Sequence, residues 1–174
     1  QTQVDRVIPK YRAFLRQFPT VRRLAAAAPR DVLLAWAGLG YNRRALYLHR
    51  SAQDVVQRFK GRVPVDAEKL QTLPGVGSYT AAAVATFATG VPHALADTNV
   101  RRVMGRVFGG HPLPERLRSE RRLIALVVRT MPTRPVWGLA PDLWGHALMD
   151  FGALVCRAKP RCGVCPLSAQ CKAY

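Results

Sequence analysis

At 174 residues, the chain is long enough to bury a hydrophobic core, and its size predicts one domain or two small lobes. It carries 27 Lys and Arg against 10 Asp and Glu, a formal net charge of +17 that is spread along the sequence. Such an excess of cations predicts a polyanionic partner, because the charges repel one another until they displace counterions from phosphates. A basic surface kept for solubility or for a ribosomal scaffold is the alternative. A membrane partner is disfavoured, since no uninterrupted apolar run reaches the about 18 residues of a membrane span.

The sequence opens with Gln1-Thr2-Gln3 and leads directly into an amphipathic pattern, without a secretory signal. We therefore expect an intracellular, cytoplasmic protein, associated with the nucleoid if it is bacterial, and we expect a monomer. Because the first residue is not Met, we also expect that an N-terminal piece is missing.

Apolar residues recur at helical spacing from Val4 to Phe18, which predicts a helix with Pro9 as its start or as a kink. Similar patterns predict seven more helices, over residues 31–38, 45–59, 66–70, 80–88, 99–108, 119–131 and 143–155. Gly, Pro or a capping Asp, Ser or Thr separates most of them, and no segment alternates with the period of a strand. The predicted fold is all-α.

A glycine hairpin is predicted between the helices over 66–70 and 80–88, where the sequence reads Leu73-Pro74-Gly75-Val76-Gly77-Ser78-Tyr79-Thr80-Ala81. Two glycines remove side chains where the turn tightens, so backbone N–H groups at the start of the next helix can approach a phosphate. An ordinary turn between helices is the alternative, but the Leu-Pro before it and the Thr-Ala after it favour phosphate binding. The candidate DNA-binding residues of this segment are Leu73, Gly75, Val76, Gly77 and Thr80.

Asp97-Thr98-Asn99 precedes the helix predicted over 99–108, and a helix cap is the simplest role for these residues. Asp97 also lies twenty positions after Gly77, where the chain could return beside bound DNA. A carboxylate there could stabilise a cationic sugar, as acidic residues do in glycoside hydrolysis. The sequence leaves both roles open.

The four cysteines Cys156, Cys162, Cys165 and Cys171 follow a C-x5-C-x2-C-x5-C spacing within sixteen residues. Four thiolates this close can surround one metal centre, and disulfides are not expected in an intracellular chain. Zinc modules usually present two C-x2-C pairs, and only one is present here, so the spacing favours a [4Fe–4S] cluster and leaves zinc open. Between the first two cysteines lie three cations that the metal-folded loop would offer to DNA, namely Arg157, Lys159 and Arg161.

Taken in order, the hairpin, Asp97 and the four cysteines resemble the endonuclease III and MutY superfamily of helix-hairpin-helix DNA glycosylases. Two further segments are similar to its adenine-specific MutY branch: Gln1-Thr2-Gln3-Val4 with Ile8-Pro9, and Gly38-Leu39-Gly40-Tyr41. The resemblance spans the chain and implies two helical lobes with a DNA-facing cleft between them. Residues 1–18 and 110–174 would form the lobe with the iron–sulfur cluster, and residues 19–109 the lobe with the hairpin.

By position, Asp97 matches the catalytic aspartate of the resembled family, and Asn99 matches its active-site partner. Tyr79 stands where bifunctional members hold a Lys that forms a Schiff base with the sugar and cuts the strand. A phenol cannot form that bond, so the resemblance implies a monofunctional glycosylase. Gln1 and Tyr41 match residues that wedge into the duplex beside the orphan base when the target is flipped out. For Tyr41, a place in the core is the alternative.

The sequence departs from the resembled family in four places. The general-acid glutamate of the MutY branch falls before Gln1. The spacing between Cys156 and Cys162 is one residue shorter than the common pattern, and this difference affects the geometry of the loop rather than metal ligation. His146 stands where adenine-specific members hold Gln or Glu facing the base, so it is a base-pocket candidate, with a purely local role as the alternative. The 8-oxoguanine-reading domain would follow Tyr174, so a truncation or a shorter relative is expected.

The sequence thus predicts a base-excision enzyme that binds double-stranded DNA containing a mismatched or damaged base and removes adenine opposite 8-oxoguanine or guanine. The first alternative is a thymine or uracil glycosylase for T·G or U·G mismatches, whose members also hold a Tyr at the place of Tyr79. A non-catalytic, cluster-bearing DNA-binding module is the second. A zinc-containing ribosomal or RNA-binding protein is the third, and it leaves the hairpin and Asp97 unexplained.

Overall fold

A computed structural model of the chain describes residues 4–110, 120–134 and 143–174. Within these ranges every regular element is helical, which confirms the all-α prediction. The α-helices of these ranges are α1 (Val4–Gln17), α2 (Val21–Ala25), α3 (Pro29–Trp36), α4 (Arg43–Arg58), α5 (Ala67–Gln71), α6 (Ser78–Thr89), α7 (Thr98–Gly109), α8 (Glu120–Thr130) and α9 (Leu143–Leu154). Two 3₁₀ turns, Cys162–Val164 and Ser168–Gln170, follow in the tail. Over the described ranges, no helix is both long and apolar enough to cross a bilayer.

All eight predicted helices are confirmed to within two residues at each end. Pro9 lies inside α1 rather than at its start. Helix α3 begins at Pro29, whose fixed φ suits a first turn, and it ends before Gly38, whose φ of +89° is left-handed. Helix α2 was not predicted, because five residues are too few to show a period. Its start is nevertheless capped by the hydroxyl of Thr20, which accepts from the N–H of Arg23 at 3.2 Å.

The helices divide into two compact units, one ending at Ala81 and the other beginning at Ala82. The boundary falls inside α6, so the hairpin belongs to the first unit and α7 to the second. The sequence predicts a different division, into one lobe of residues 1–18 with 110–174 and another of residues 19–109. The two units described singly do not test it. That division stays a prediction.

The core of the first unit lies between α1, α2, α3 and α4. Helix α4 packs on α2 and α3, and α3 also packs on α1. The buried side chains at the centre are Phe18, Leu24, Val32, Ala45 and Ala52. Phe14 meets Phe18 edge to face, with ring centroids 4.9 Å apart. Burying this apolar surface is what holds the short helices together, since helices of five to eight residues are unstable alone.

In the second unit, α7 packs on α8 and α9. Its core contains Val100, Val103, Met104, Leu123, Val127, Leu148 and Cys156, all buried. Two glycines of α9 allow the close approach: a Cβ on Gly145 would lie 2.6 Å from Leu95 Cδ1, and one on Gly152 would lie 2.6 Å from Asn99 Cβ. The missing side chain of Gly152 therefore brings the end of α9 against the start of α7.

Candidate functional site

The glycine hairpin joins α5 to α6 in the first unit. Gly75 has a φ of +75°, in the left-handed region that glycine adopts without strain, and the N–H of Val76 donates to the carbonyl of Leu73 at 3.1 Å. Gly77 differs: its φ is not left-handed, and a Cβ there would meet no atom within 4 Å. The fold itself thus requires a glycine at 75 but not at 77. A missing side chain at an open position leaves room for a ligand to approach the backbone.

The candidate DNA-binding residues of the hairpin differ in exposure. Leu73 is buried, so only its backbone could meet a ligand, while Val76 is partly buried and Thr80 is exposed. Tyr79, in the first turn of α6, keeps 38% of its surface exposed. Because Tyr79 and Thr80 are exposed, solvent reaches the start of α6. Backbone N–H groups and the helix dipole favour an anion at such a helix start.

Tyr41 lies in the loop between α3 and α4 and is displayed to solvent. Its φ is +49°, unusual for a residue with a side chain, and 64% of its surface is exposed. The indole N–H of Trp36 donates to the carbonyl of Gly40 at 3.0 Å, which fixes the backbone just before Tyr41. The guanidinium of Arg44 lies 5.7 Å from the Trp36 ring. The alternative that Tyr41 is a core aromatic is therefore wrong, while Gln1, its predicted companion, lies outside the described residues.

Asp97 caps α7 and is also oriented by Asn99, in the second unit. One carboxylate oxygen, Oδ1, accepts from the N–H of Val100 at 2.7 Å, as expected for an N-cap. The other, Oδ2, accepts from the side-chain amide of Asn99 at 3.1 Å. The predicted pairing of Asp97 with Asn99 is thus present in the structure, and two donors hold the carboxylate in one orientation.

Arg102, which was not predicted as a site residue, connects this pair to the first cysteine. Its guanidinium donates to Oδ1 of Asn99 at 2.7 Å, to the carbonyl of Gly152 at 2.6 Å and to the carbonyl of Cys156 at 2.7 Å. Because Arg102 occupies the amide oxygen of Asn99, the amide nitrogen is left to face Asp97. The start of α7, the end of α9 and the cysteine loop are thereby joined by one side chain.

The four cysteines line a single cavity of about 200 Å³, together with Arg106 and Phe151. All four are free thiols, with Cys156 buried and the other three partly buried. In the described part of the chain, no three His, Cys, Asp or Glu side chains are arranged to hold one metal ion, so what the thiols share is this cavity. Four thiols around one cavity fit the ligand set that an iron–sulfur cluster takes.

Arg106 is buried and holds the cysteine loop. It donates to the carbonyl of Arg157 at 2.6 Å, to the carbonyl of Ala158 at 3.1 Å and to Sγ of Cys156 at 3.6 Å. Its positive charge complements the negative charge of a metal-bound thiolate. With its backbone tied down in this way, the loop exposes the predicted cations Arg157, Lys159 and Arg161 to solvent.

His146, the candidate for the base pocket, stacks on a ring of α6. Its imidazole and the ring of Phe87 have centroids 4.5 Å apart and an interplanar angle of 21°. His146 is partly buried, whereas Phe87 keeps 54% of its surface exposed. The pair is a planar surface of the kind on which a base can stack.

The structure thus brings Asp97, Asn99 and the cysteine loop together in the second unit, while Tyr41, the hairpin and Tyr79 belong to the first. The helical spacing of Asn99, Arg102 and Arg106 on α7 was a usable signal for the two missed arginines, because residues three and seven apart share one face. No comparable signal marked Trp36.

A family model described as the HhH-GPD superfamily of base excision DNA repair proteins matches residues 1–127. Among curated relatives, an adenine DNA glycosylase of Mycolicibacterium smegmatis is 45% identical over 170 residues, which cover 97% of this chain and 55% of the relative. A thymine/uracil-DNA glycosylase of Pyrobaculum aerophilum is 37% identical over 170 residues, which cover 97% of this chain and 73% of the relative. The chain therefore spans about half the length of the adenine DNA glycosylase it matches.

Among solved structures, a trapped covalent intermediate of endonuclease III with DNA, an estranged-adenine complex, has a TM-score of 0.84 to this chain. The two are 25% identical, and the match covers 99% of this chain and 78% of the other.

Proposed function

We propose that this chain, which belongs to the HhH-GPD superfamily of base excision DNA repair proteins, is the catalytic region of a monofunctional DNA glycosylase that removes adenine paired with 8-oxoguanine or guanine. The observation that carries the proposal is the Asp97 carboxylate, held by the N–H of Val100 and the amide of Asn99. The identity of the base is supported by the 45% identity to an adenine DNA glycosylase.

Asp97 would act on the sugar rather than on the base. As the N-glycosidic bond breaks, the electron pair leaves with the base and positive charge develops on the sugar. A carboxylate already oriented by two donors can stabilise that charge without reorganising. A general acid must protonate the departing adenine, and water completes the hydrolysis at the anomeric carbon. In the resembled family the acid is a glutamate that falls N-terminal to Gln1.

Double-stranded DNA with a mismatched or damaged base would be held mainly through its phosphates. The hairpin would offer its open backbone at Gly77 and the start of α6, and the cysteine loop its three exposed cations. Tyr41, with its exposed ring on a fixed loop, would enter the duplex beside the orphan base, and Gln1 would assist it. We propose a monomer that acts in the cytoplasm, associated with the nucleoid if the cell is bacterial.

Tyr79 supports a reaction that stops after base release. A phenol has no amine to condense with the sugar aldehyde, so the strand would remain intact. Tyr79 would help to hold the reacting nucleotide in place.

A [4Fe–4S] cluster would be held by Cys156, Cys162, Cys165 and Cys171, since these four thiols line one cavity. The cluster would supply cohesion by tying four points of the tail to one centre. Arg106 and Arg102 would link that centre to α7, through the carbonyls of Arg157 and Cys156.

Removal of thymine or uracil from T·G or U·G pairs is the second candidate function. The departure at His146 favours it, as does the 37% identity to a thymine/uracil-DNA glycosylase. The imidazole of His146, stacked on Phe87, would then face a pyrimidine. Gln1-Thr2-Gln3-Val4 is the feature that favours adenine.

Base release under single-turnover conditions tests both candidates. The protein, expressed together with any residues that precede Gln1 in its gene, is mixed in excess with duplexes containing A·8-oxoG, A·G, T·G or U·G. Release of adenine alone is the expected result. Release of thymine or uracil alone would establish the second candidate, and tight duplex binding with no release would indicate a non-catalytic module.

Metal analysis tests the cluster. Purified protein should be yellow-brown and contain about four iron atoms per chain. A colourless protein with about one zinc per chain would contradict the proposal. Cys162→Ser should loosen the tail and weaken DNA binding more than it lowers the helical circular dichroism, because the tail has little apolar packing of its own.

A further inference from the structure

One face of α4 lies against the glycine hairpin within the first unit. The hydroxyl of Ser51 donates to the carbonyl of Pro74 at 2.8 Å, and Ser51 is 8% exposed. One turn earlier, the side chain of Tyr47 lies beside Gly75, where a Cβ on the glycine would come within 2.7 Å of Tyr47 Cβ and Cδ2. Two turns later, Arg58 donates to the hydroxyl of Thr72 at 2.9 Å. The start of the hairpin, from Thr72 to Gly75, is therefore supported by side chains of a helix that lies outside the motif.

These contacts fix the two residues on which the shape of the turn depends. Pro74 has no N–H, so its carbonyl is its one backbone group that can be hydrogen-bonded, and Ser51 takes it. Gly75 occupies a left-handed conformation, and the Tyr47 ring fills the space that a side chain at this position would need. Rotation of the peptide between Pro74 and Gly75 would break the hydrogen bond from Ser51 or bring the backbone against the Tyr47 ring.

We propose that Tyr47 and Ser51 are positioning residues that set the conformation of the hairpin before DNA arrives. The inference rests on the proposed function, because it takes the hairpin to bind phosphates. A loop that is already ordered loses less conformational freedom on binding than one that must be ordered by the ligand. The N–H groups at the start of α6 are then presented in one direction, and Tyr47 and Ser51 contribute to affinity without touching DNA.

The test compares Ser51→Ala and Tyr47→Ala with the native protein on undamaged duplex. Each should weaken binding about two- to tenfold, the range for one lost hydrogen bond or local packing contact. The slope of log K against log salt should also become shallower by about 0.9 for each phosphate contact that is lost. The rate of base release at saturating protein should stay within about twofold, since Asp97 is untouched. Ser51→Thr keeps the hydroxyl and Tyr47→Phe keeps the ring, so both variants should bind like the native chain.

A control and a double variant separate positioning from general loss of packing. Gln57→Ala, at an exposed position of the same helix, should change neither affinity nor salt slope. Gly75→Ala should weaken binding strongly in the native chain and only slightly less in the Tyr47→Ala background, because the ring is removed while the Cβ of residue 47, 2.7 Å away, and the strained left-handed φ remain. Should Tyr47→Ala lose helical circular dichroism, the Ser51→Ala and Ser51→Thr pair decides the question.

The outcomes distinguish this inference from the function on which it rests. A native chain with no measurable affinity for duplex would refute the proposed function. A native chain that binds duplex, with Ser51→Ala and Tyr47→Ala equal to it in affinity and salt slope, would refute the positioning role alone. A lower melting temperature with an unchanged salt slope would make the two residues structural and would also refute it.

Discussion

Replacing Asp97 by Asn removes the charge of this side chain while keeping its ability to cap α7. Asn caps helices about as well as Asp, so the bond from the N–H of Val100 should survive. The contact with Asn99 should not, because an amide nitrogen would replace Oδ2 and face the amide nitrogen of Asn99. Asn99 cannot turn over to relieve this, since Arg102 holds its oxygen at 2.7 Å.

The expected cost to folding is therefore one side-chain hydrogen bond, about 0.5–1.5 kcal/mol. For a chain of this size, that lowers the melting temperature by roughly 1–6 °C. The expected cost to catalysis is larger: losing one preorganised electrostatic group slows the reaction about a hundredfold or more, at least about 2.7 kcal/mol. Duplex binding should persist or tighten, because a negative charge near phosphates is removed.

The assay is single-turnover release of adenine from A·8-oxoG, with melting temperature and duplex affinity measured on the same samples. Asp66→Asn is the matched control, because Asp66 caps α5 in the same way, accepting from the N–H of Lys69 at 2.9 Å. It should keep the native release rate. If Asp97→Asn also keeps full excision activity, Asp97 is only a helix cap and the catalytic assignment is wrong.

Three further changes test other parts of the site. Gly77→Ala should leave the melting temperature unchanged, since the added Cβ meets nothing within 4 Å. In a titration it should weaken binding to every duplex sequence equally, and an unchanged affinity would contradict a backbone–phosphate contact at this residue. Trp36→Phe removes the donor to Gly40 and should lower the equilibrium constant for base flipping about two- to tenfold, as followed by the fluorescence of 2-aminopurine. An unchanged constant would mean that the Tyr41 loop needs no such support. Arg102→Met should slow base release while the affinity for duplex changes little, and a native release rate would show that Asn99 holds Asp97 unaided.

The elements that the sequence predicted well are those with local causes. Helix α7 and its cap follow from Asp97 at the head of a periodic segment, and the hairpin follows from Gly75, whose left-handed φ is a property of its own residue type. The exposure of Tyr41 required the structure, because an aromatic after Gly-Leu-Gly packs inward or outward according to contacts that lie elsewhere in the chain.

The contacts that the sequence could not predict join residues far apart along the chain. Arg102 meets the carbonyl of Cys156 across 54 positions, and Ser51 meets Pro74 across 23. Such pairs depend on how helices pack, and for Arg102 the packing is decided by a missing side chain at Gly152, which lets α9 reach Asn99. A glycine inside a helical pattern costs about 1 kcal/mol relative to Ala, and that cost is the signal of a packing requirement.

The two roles that the sequence left open for Asp97, helix cap and sugar-facing carboxylate, are compatible because they use different oxygens. Oδ1 satisfies the N–H of Val100, which any capping residue would do. Oδ2 meets the amide of Asn99, an interaction that capping does not require. Asn99 is turned toward Asp97 by Arg102, and Arg102 is fixed by the carbonyls of Gly152 and Cys156. A cap alone would explain the first contact but not the second, so the orientation of Oδ2 is the feature that favours catalysis.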